Sequence, residues 1–294
     1  MEGHMKRNNI KILTVLLAVL LLLVGCADPN PHVEETTSPP INENSIGYYK
    51  TVEYKYETSV DPAVLTTNLD PTYLLLANKA NVLGSDYVPA NLTTLTCDTL
   101  QLNRVYELDS RAAQALYAML AEMKALGVDN VMVASAYRGY TYQKNTYQKY
   151  IEYEQSCISA DAYRVFGTAY IQENYLAKKI FRLTLEDAET VVQSYSALPG
   201  QSEHQTGLCV DFASGENSTK EHLTEVFENT IAFTWLSQNA YKFGFILRYP
   251  KGKEDITGYT YEPWHYRFVG REAATDIHVG NMTLEQYLQL ASNQ

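Results

Sequence analysis

Apolar positions along this chain alternate between a helical and an extended repeat, and the elements can be read in order. Between Ser110 and Leu126, the residues Ala112, Ala115, Leu116, Met119, Leu120 and Met123 return at helical spacing. Asp109 or Ser110 stands where an N-cap is needed and Gly127 where a helix stops, so a core-facing helix is predicted over 110–126. Val131 to Ala134 is a continuous apolar run and reads as a buried strand. Residues 141–200 are mostly helical and rich in tyrosine. Tyr142, Tyr147, Tyr150 and Tyr153 recur on roughly one face, which reads as half-buried packing rather than a stacking surface. Leu185 to Tyr195 is a second clear helix, capped by Thr184, with Glu186 and Asp187 in its first turn and Pro199-Gly200 as a break beyond it. Residues 214–220 form a polar loop. Residues 230–241 form a helix ended by Gly244, 245–250 a strand, 251–260 a hairpin-like loop, 264–269 the last strand and 284–290 a closing helix. Upstream, Val52, Tyr54 and Tyr56 alternate with polar residues over 51–58, the period of a short strand, and Leu74 to Lys79 is an apolar run followed by a turn. Helices first and strands clustered later predict an α+β fold, with a small, largely antiparallel sheet flanked by helices.

The first 26 residues read as an address. Lys6, Arg7 and Lys11 precede an apolar run, Ile12 to Val24, that is short for a membrane span and ends in Leu-Val-Gly-Cys26. This ending resembles the lipobox of bacterial lipoproteins, which implies acylation of Cys26 and an extracytoplasmic, membrane-anchored location. An ordinary signal peptide and an uncleaved anchor are the competing readings. Residues 1–4 look like a cloning remnant ahead of a start at Met5. Residues 27–50, with Pro29, Pro31, Pro39 and Pro40 among polar residues, read as a flexible linker, leaving 51–294 as one globular domain. With 46% hydrophobic residues the domain can bury a full core, and a net charge of −11 argues against nucleic acid as a partner. A monomer is the expectation.

The candidate chemistry lies in two stretches, Ser202-Glu-His-Gln-Thr-Gly-Leu-Cys-Val-Asp-Phe212 and Tyr261-Glu-Pro-Trp-His-Tyr-Arg267. They offer two imidazoles, a carboxylate suited to a metal and a spare carboxylate beside the second imidazole. Taken alone, His204 is a loop residue and Asp211 a strand end. Glu262 and His265 would face opposite ways on a straight strand, but Pro263 between them favours a bend that brings both to one cleft.

The two stretches resemble the S-x-H-Q-T-G-x-x-x-D and E-P-W-H-Y-R motifs of the VanY-like D-alanyl-D-alanine carboxypeptidases, zinc peptidases of peptidoglycan. Ser135-Ala-Tyr-Arg-Gly-Tyr-Thr-Tyr-Gln143 is similar to a third, upstream motif of that family. The resemblance spans about residues 74–290. It implies zinc (Zn2+) on His204, Asp211 and His265, with Glu262 as general base. Arg138 is implied to meet the substrate and the developing oxyanion, and Gln143, Ser202, Tyr249 and Trp264 to line the substrate pocket. The implied reaction removes the C-terminal D-alanine of peptidoglycan stem peptides. L,D-carboxypeptidase action on tetrapeptide stems and a zinc-bearing wall-binding module without turnover are the two alternatives. Cys97, Cys157 and Cys209 remain after Cys26; one pair could join as a disulfide, with no pairing legible. The family usually has a small apolar residue at the position of Cys209, so it reads as a packed strand residue, although a regular strand would put it on the same face as Asp211.

If Cys26 is acylated, the full-length protein partitions into the detergent phase and Cys26→Ser does not. Acyl-dependent partitioning of Cys26→Ser would remove the lipobox reading.

Overall fold

The structure is a computed structural model and describes residues 46–96, 105–214 and 223–293. Cys26, the address segment, Cys97 and most of the 214–220 loop lie outside the described residues. The helices are α1 (Pro62–Leu65), α2 (Ser110–Ala125), α3 (Tyr140–Ser156), α4 (Ala160–Asn174), α5 (Leu185–Val192), α6 (Ile231–Asn239), α7 (Glu254–Thr257), α8 (Arg271–Val279) and α9 (Leu284–Ala291). The strands are β1 (Leu92–Thr94), β2 (Glu107–Asp109), β3 (Val131–Ser135), β4 (Cys209–Ser214), β5 (Phe245–Leu247) and β6 (His265–Phe268). β1 and β2 form a small antiparallel ribbon, and the main sheet has the order β3-β4-β6-β5 with every pair antiparallel. The α+β class expected from the sequence is the one observed.

The main sheet sorts its residues by the two-residue period of a strand. Val210 and Phe212 on β4, with Tyr266 and Phe268 on β6, belong to the core built with α2 and α6, together with Leu116, Met119 and Leu236. Their neighbours face the other way. Cys209 is opposite Arg267, and Asp211 is opposite His265. One face of the two central strands is therefore apolar, and the other carries the candidate chemistry. On β3 the register shifts between Val133 and Ser135, so that Ser135 also opposes Asp211. An extra residue of this kind locally bends a strand and interrupts its ladder.

Two further clusters flank the sheet. Tyr147, Ile151, Ala162, Ile171, Val191 and Val192 join α3, α4 and α5, and α4 bends at Gly167, whose φ of 79° is left-handed. Ala273, Ala274, Ile277, Leu284 and Tyr287 join α8 and α9 to Ile246 of β5.

The structure departs from the sequence reading in several places. Residues 51–58 alternate in burial as a strand would, but they pair with no strand. The segment is a strap sewn down by side chains. Glu122 of α2, itself 4% exposed, accepts hydrogen bonds from the Glu57 amide (2.6 Å), the Thr58 amide (2.9 Å) and the Thr58 hydroxyl (2.5 Å). Tyr54 meets the Thr275 hydroxyl at 2.7 Å, and Tyr56 donates to the Lys242 carbonyl at 2.9 Å. Docking begins before residue 51, within the stretch assigned to the linker, because the Gly47 and Tyr49 amides donate to Asp276. The 251–260 loop contains α7, and the strand expected over 245–250 stops at Leu247. α8 has no counterpart in the sequence reading. Its buried residues are Ala273, Ala274, Thr275, Asp276 and Ile277, too small an apolar signal to stand out by periodicity. The tyrosine stripe is also different. α3 buries Gln143, Tyr147, Ile151 and Glu154, whereas Tyr142, Tyr150 and Tyr153 are 48%, 40% and 56% exposed.

Glu122→Ala removes three charge-assisted bonds to the strap and should lower stability by about 2–3 kcal/mol, the scale of losing hydrogen bonds to a charged partner. Urea denaturation measures the loss, and amide exchange at Glu57 and Thr58 should quicken. Unchanged stability would show that the strap is held without Glu122, by Asp276 and its tyrosines.

Candidate metal and catalytic site

Ser202 to Gly207 leaves no room for a regular helix between Pro199-Gly200 and β4. It forms one 3₁₀ turn, Glu203–Thr206, closed by Gly207 at φ 67°. Gly207 is needed there for a second reason: a Cβ would lie 2.9 Å from Leu92 and 3.1 Å from Pro89. The turn is fully buried, and it aims two neighbouring side chains into the sheet.

His204 has its Nδ1 tied to the Ala136 carbonyl at 2.6 Å, so its Nε2 points at Asp211, 3.1 Å away. His265 opens β6, and its Nδ1 meets the other Asp211 oxygen at 2.8 Å. The two rings stand 5.0 Å apart and nearly perpendicular. Glu262 lies in the turn just before β6, closed by the His265 amide donating to the Glu262 carbonyl at 3.2 Å. That turn puts the Glu262 carboxylate 3.8 Å from His265 Nδ1, on the same side rather than the opposite one. The bend expected around Pro263 is present.

Cys209 is also in the cluster. A ligand atom from each of His204, Cys209 and His265 lies within 4.8 Å of the others. Its side chain is fully buried and its sulfur lies near both imidazoles, a proximity that the reading as an ordinary packed strand residue did not give.

Behind His265 sits Glu203. Its Oε2 and His265 Nε2 are both buried without a hydrogen-bond partner inside normal limits, and they face each other at 3.5 Å. The other Glu203 oxygen accepts from Arg248 Nε at 2.8 Å and Arg267 Nη1 at 2.7 Å. Arg248 also grips Glu285 with two nitrogens at 2.6 and 3.0 Å, and Arg267 donates to the Tyr73 and Leu75 carbonyls. The sequence reading missed Glu203. Its one visible signal was an acid beside His204 in an otherwise buried turn, to be matched with Arg248 and Arg267 far along the chain.

Charge in the cluster is strongly coupled. Burial opposes ionisation of Asp211, but His204 and His265 outweigh it and hold the carboxyl well below its ordinary range. Burial likewise disfavours charge on Glu203, and Arg248 and Arg267 overcome it. Burial and Arg138 work against a charged His204, yet Asp211 and Cys209 raise it to about 9. His265 is raised well above its ordinary value against its own burial, by Cys209, Asp211 and Glu203. Burial pushes Glu262 up to about 7, with Asp211 adding to it. The two imidazoles thus hold protons on nitrogens that a cation would take, so a metal bound here should loosen as pH falls.

A cleft of about 940 Å³ opens over this cluster. Arg138 lines it, with only two long contacts to hydroxyls, Ser135 at 3.3 Å and Ser202 at 3.5 Å. No carboxylate pairs with it among the described residues, and its Nε is buried without a partner. Gln143 donates to the Ala197 carbonyl at 2.7 Å while its oxygen has no partner. Ser202, Tyr249 and Trp264 line the same cleft. Tyr249 contributes its ring, 4.9 Å from that of His265. All the expected site residues from 138 to 265 are therefore brought together; Cys26 lies outside the described residues.

The donor set fits a metal. The Ala136 bond leaves His204 Nε2 turned inward, and Glu203 faces His265 Nε2, so Nδ1 looks into the cluster with the Asp211 carboxylate between the two rings. Carboxylates behind metal-binding imidazoles have this positioning role. The sequence profile of the VanY family, described as D-alanyl-D-alanine carboxypeptidase, matches residues 105–271. The chain belongs to the VanY family. A D-alanyl-D-alanine carboxypeptidase of Enterococcus faecalis is 32% identical over 87% of this chain and 81% of its own length. The solved LD-carboxypeptidase LdcB is 33% identical, with a TM-score of 0.56 over 74% of this chain and 87% of that one. A vancomycin-resistance D,D-pentapeptidase VanY, solved as a mutant in complex with Zn(II), is 32% identical, with a TM-score of 0.53 over 74% of this chain and 99% of that one.

Glu203→Ala leaves two buried guanidiniums short of their shared carboxylate and should cost about 3–5 kcal/mol, the scale for breaking a buried pair. A double-mutant cycle with Arg267→Ala, read by urea denaturation, should be clearly less than additive. Strict additivity would mean the ion pair has no energetic coupling.

Proposed function

We propose that this VanY-family chain is a zinc-dependent D,D-carboxypeptidase that removes the C-terminal D-alanine from peptidoglycan stem peptides. The observation that carries the reading is the convergence of His204 Nε2, Asp211 and His265 Nδ1 on one point, with the Glu262 carboxylate 3.8 Å from His265 and an unpaired Arg138 across the cleft. The matched family description and the E. faecalis relative support the D,D choice. The Zn(II) complex of the VanY neighbour supports zinc as the ion for His204, Asp211 and His265.

Bound zinc supplies a Lewis acid and lowers the pKa of the water it holds. The remaining steps belong to the chain. Glu262 is placed to take a proton from the attacking water and to return it to the leaving amine. Arg138 offers a fixed fork to a carboxylate or to the oxygen that becomes negative in the transition state. Gln143 and Ser202 offer polar atoms deep in the cleft, and Tyr249 and Trp264 supply apolar walls. The net charge of −11 does not attract an anionic peptide, so its terminal carboxylate depends on this local cation.

The likeness to LdcB favours a second reading, L,D-carboxypeptidase action on tetrapeptide stems, with the same machinery and a different stem length. Within the same proposal the domain works outside the cytoplasm, tethered through acylated Cys26; the basic run, the apolar run and Leu-Val-Gly-Cys26 support this.

The test is mass spectrometry of purified muropeptides with wild type and Glu262→Gln. Wild type should shorten pentapeptide stems faster than tetrapeptide stems; the reverse order selects the L,D reading. Glu262→Gln should keep zinc and lose about 10²–10⁴ in kcat, with little change in KM. Arg138→Ala should worsen both constants. Near-normal turnover by zinc-loaded Glu262→Gln would defeat the assignment of the base. Tight stem-peptide binding without turnover in wild type would make the protein a binding module.

A further inference from the structure

The tyrosine stripe of α3 reads from the sequence as packing, and two of its members are placed for something else. Tyr142, Thr146 and Tyr150 follow one another at four-residue steps, so they share a face of α3, one position round from the buried line of Gln143, Tyr147 and Ile151. That face lines the cleft over the metal donors, with Tyr142 48% and Tyr150 40% exposed. Tyr153, on the same helix, is exposed but does not line the cleft. Tyr150 is braced: its ring meets that of Tyr195 edge-to-face at 5.5 Å, and the Tyr195 hydroxyl donates to the fully buried Glu154 at 3.2 Å. Asp161 and Arg164 of α4 line the same cleft and pair with each other at 2.8 Å. α3 starts two residues after Arg138 and carries Gln143 in its first turn, and Tyr150 lies about 12 Å further along the helix axis than Tyr142.

We propose that the Tyr142–Thr146–Tyr150 face, with the Asp161–Arg164 pair, is a sugar-binding ledge that holds the glycan unit carrying the stem, so that the protein works on glycan-linked stems in preference to released peptides. The inference rests on the carboxypeptidase reading given above and names the part of the substrate that this reading leaves unplaced. Tyrosine offers an apolar ring with a polar tip, which matches a pyranose with its apolar C–H faces and its rim of hydroxyls. Asp161 and Arg164 offer an acceptor and a donor fork side by side, the two partners a hydroxyl can use. Their charges cancel, so the pair favours a neutral polyhydroxyl group over an anionic or cationic side chain. Length agrees as well. A pentapeptide stem cut after its fourth residue keeps four residues between the scissile bond and the sugar, roughly 14 Å when extended. A stem whose terminal carboxylate meets Arg138 therefore reaches the outer part of α3 with its sugar end. The Glu154–Tyr195 brace keeps the Tyr150 ring in place before the ligand arrives, which lowers the ordering cost of binding.

The test compares one pentapeptide stem as a free peptide with the same stem on its disaccharide, using the zinc-loaded full-length protein. Wild type should show a kcat/KM about tenfold higher for the glycan-linked stem, with the gain in KM. Tyr142→Ala and Tyr150→Ala should each cut that ratio about fivefold, the scale of one aromatic contact, and Tyr153→Ala should leave it unchanged. Calorimetry with zinc-loaded Glu262→Gln reads the same ratio as Kd, so the ledge is judged even where no stem is cut. A wild-type ratio near one, in turnover and in binding, would overturn the sugar ledge and leave the carboxypeptidase reading intact. Losses in Tyr142→Ala and Tyr150→Ala that fall equally on both substrates would also overturn it, because they would put the peptide rather than the sugar on α3. Absence of turnover on both stems would defeat the carboxypeptidase reading instead, and the calorimetric ratio would still decide the ledge.

Discussion

Glu203 is a carboxylate sealed from water, and its charge is tolerable only because Arg248 and Arg267 reach it from two different strands or strand ends. Burying three such groups is expensive, and the cost is recovered only if their geometry is kept and every remaining hydrogen is used. Arg248 spends its remaining nitrogens on Glu285 of α9, and Arg267 spends its own on the backbone at Tyr73, Leu75 and Phe268. The 3₁₀ turn, β5, β6, the closing helix and the 73–75 segment are thus fixed against one anion. His204 follows Glu203 in the chain and His265 touches it in space. The site inherits its rigidity from a network that takes no direct part in the proposed chemistry.

The same arrangement separates two electrostatic regimes a few ångströms apart. Beneath the imidazoles the guanidiniums are saturated. Above them, Arg138 has only hydroxyl contacts and keeps its charge for a ligand. An acidic protein can in this way hold one cation ready for an anionic group without a basic surface.

Much of this was legible in the sequence, and the reasons differ by element. α2 could be read from six apolar positions and its Asp109 cap, and α5 from Thr184, because caps and helical periodicity are local properties. β6 could be read as a strand, and His204, Asp211, Glu262 and His265 could be read as a site because the two contiguous motifs that carry them resemble those of a known family; taken alone, His204 reads as a loop residue and Asp211 as a strand end. What escaped was held by distant partners or by weak local signals. The strap alternates as a strand does, but its amides go to Glu122, more than sixty residues away. α8 buries two alanines, a threonine, an aspartate and a single isoleucine, which gives little apolar periodicity. The tyrosines of α3 miscarried because the helix buries the Gln143–Tyr147–Ile151–Glu154 line and leaves its neighbours to the cleft and solvent. Glu203 was invisible because the meaning of a buried acid lies in arginines that only the fold delivers.

The strap over residues 46–58 has a mechanical consequence. It crosses the body without joining the sheet, and its attachments to Asp276, Thr275, Lys242 and Glu122 come one after another along its length. Tension on the chain ahead of Ile46 would therefore meet these bonds in series, peeling them singly, rather than loading a row of strand pairs at once. Thirteen residues drawn out fully span on the order of 45 Å. Such tension would draw on that length first, while β4 and β6, which hold none of these attachments, stayed slack.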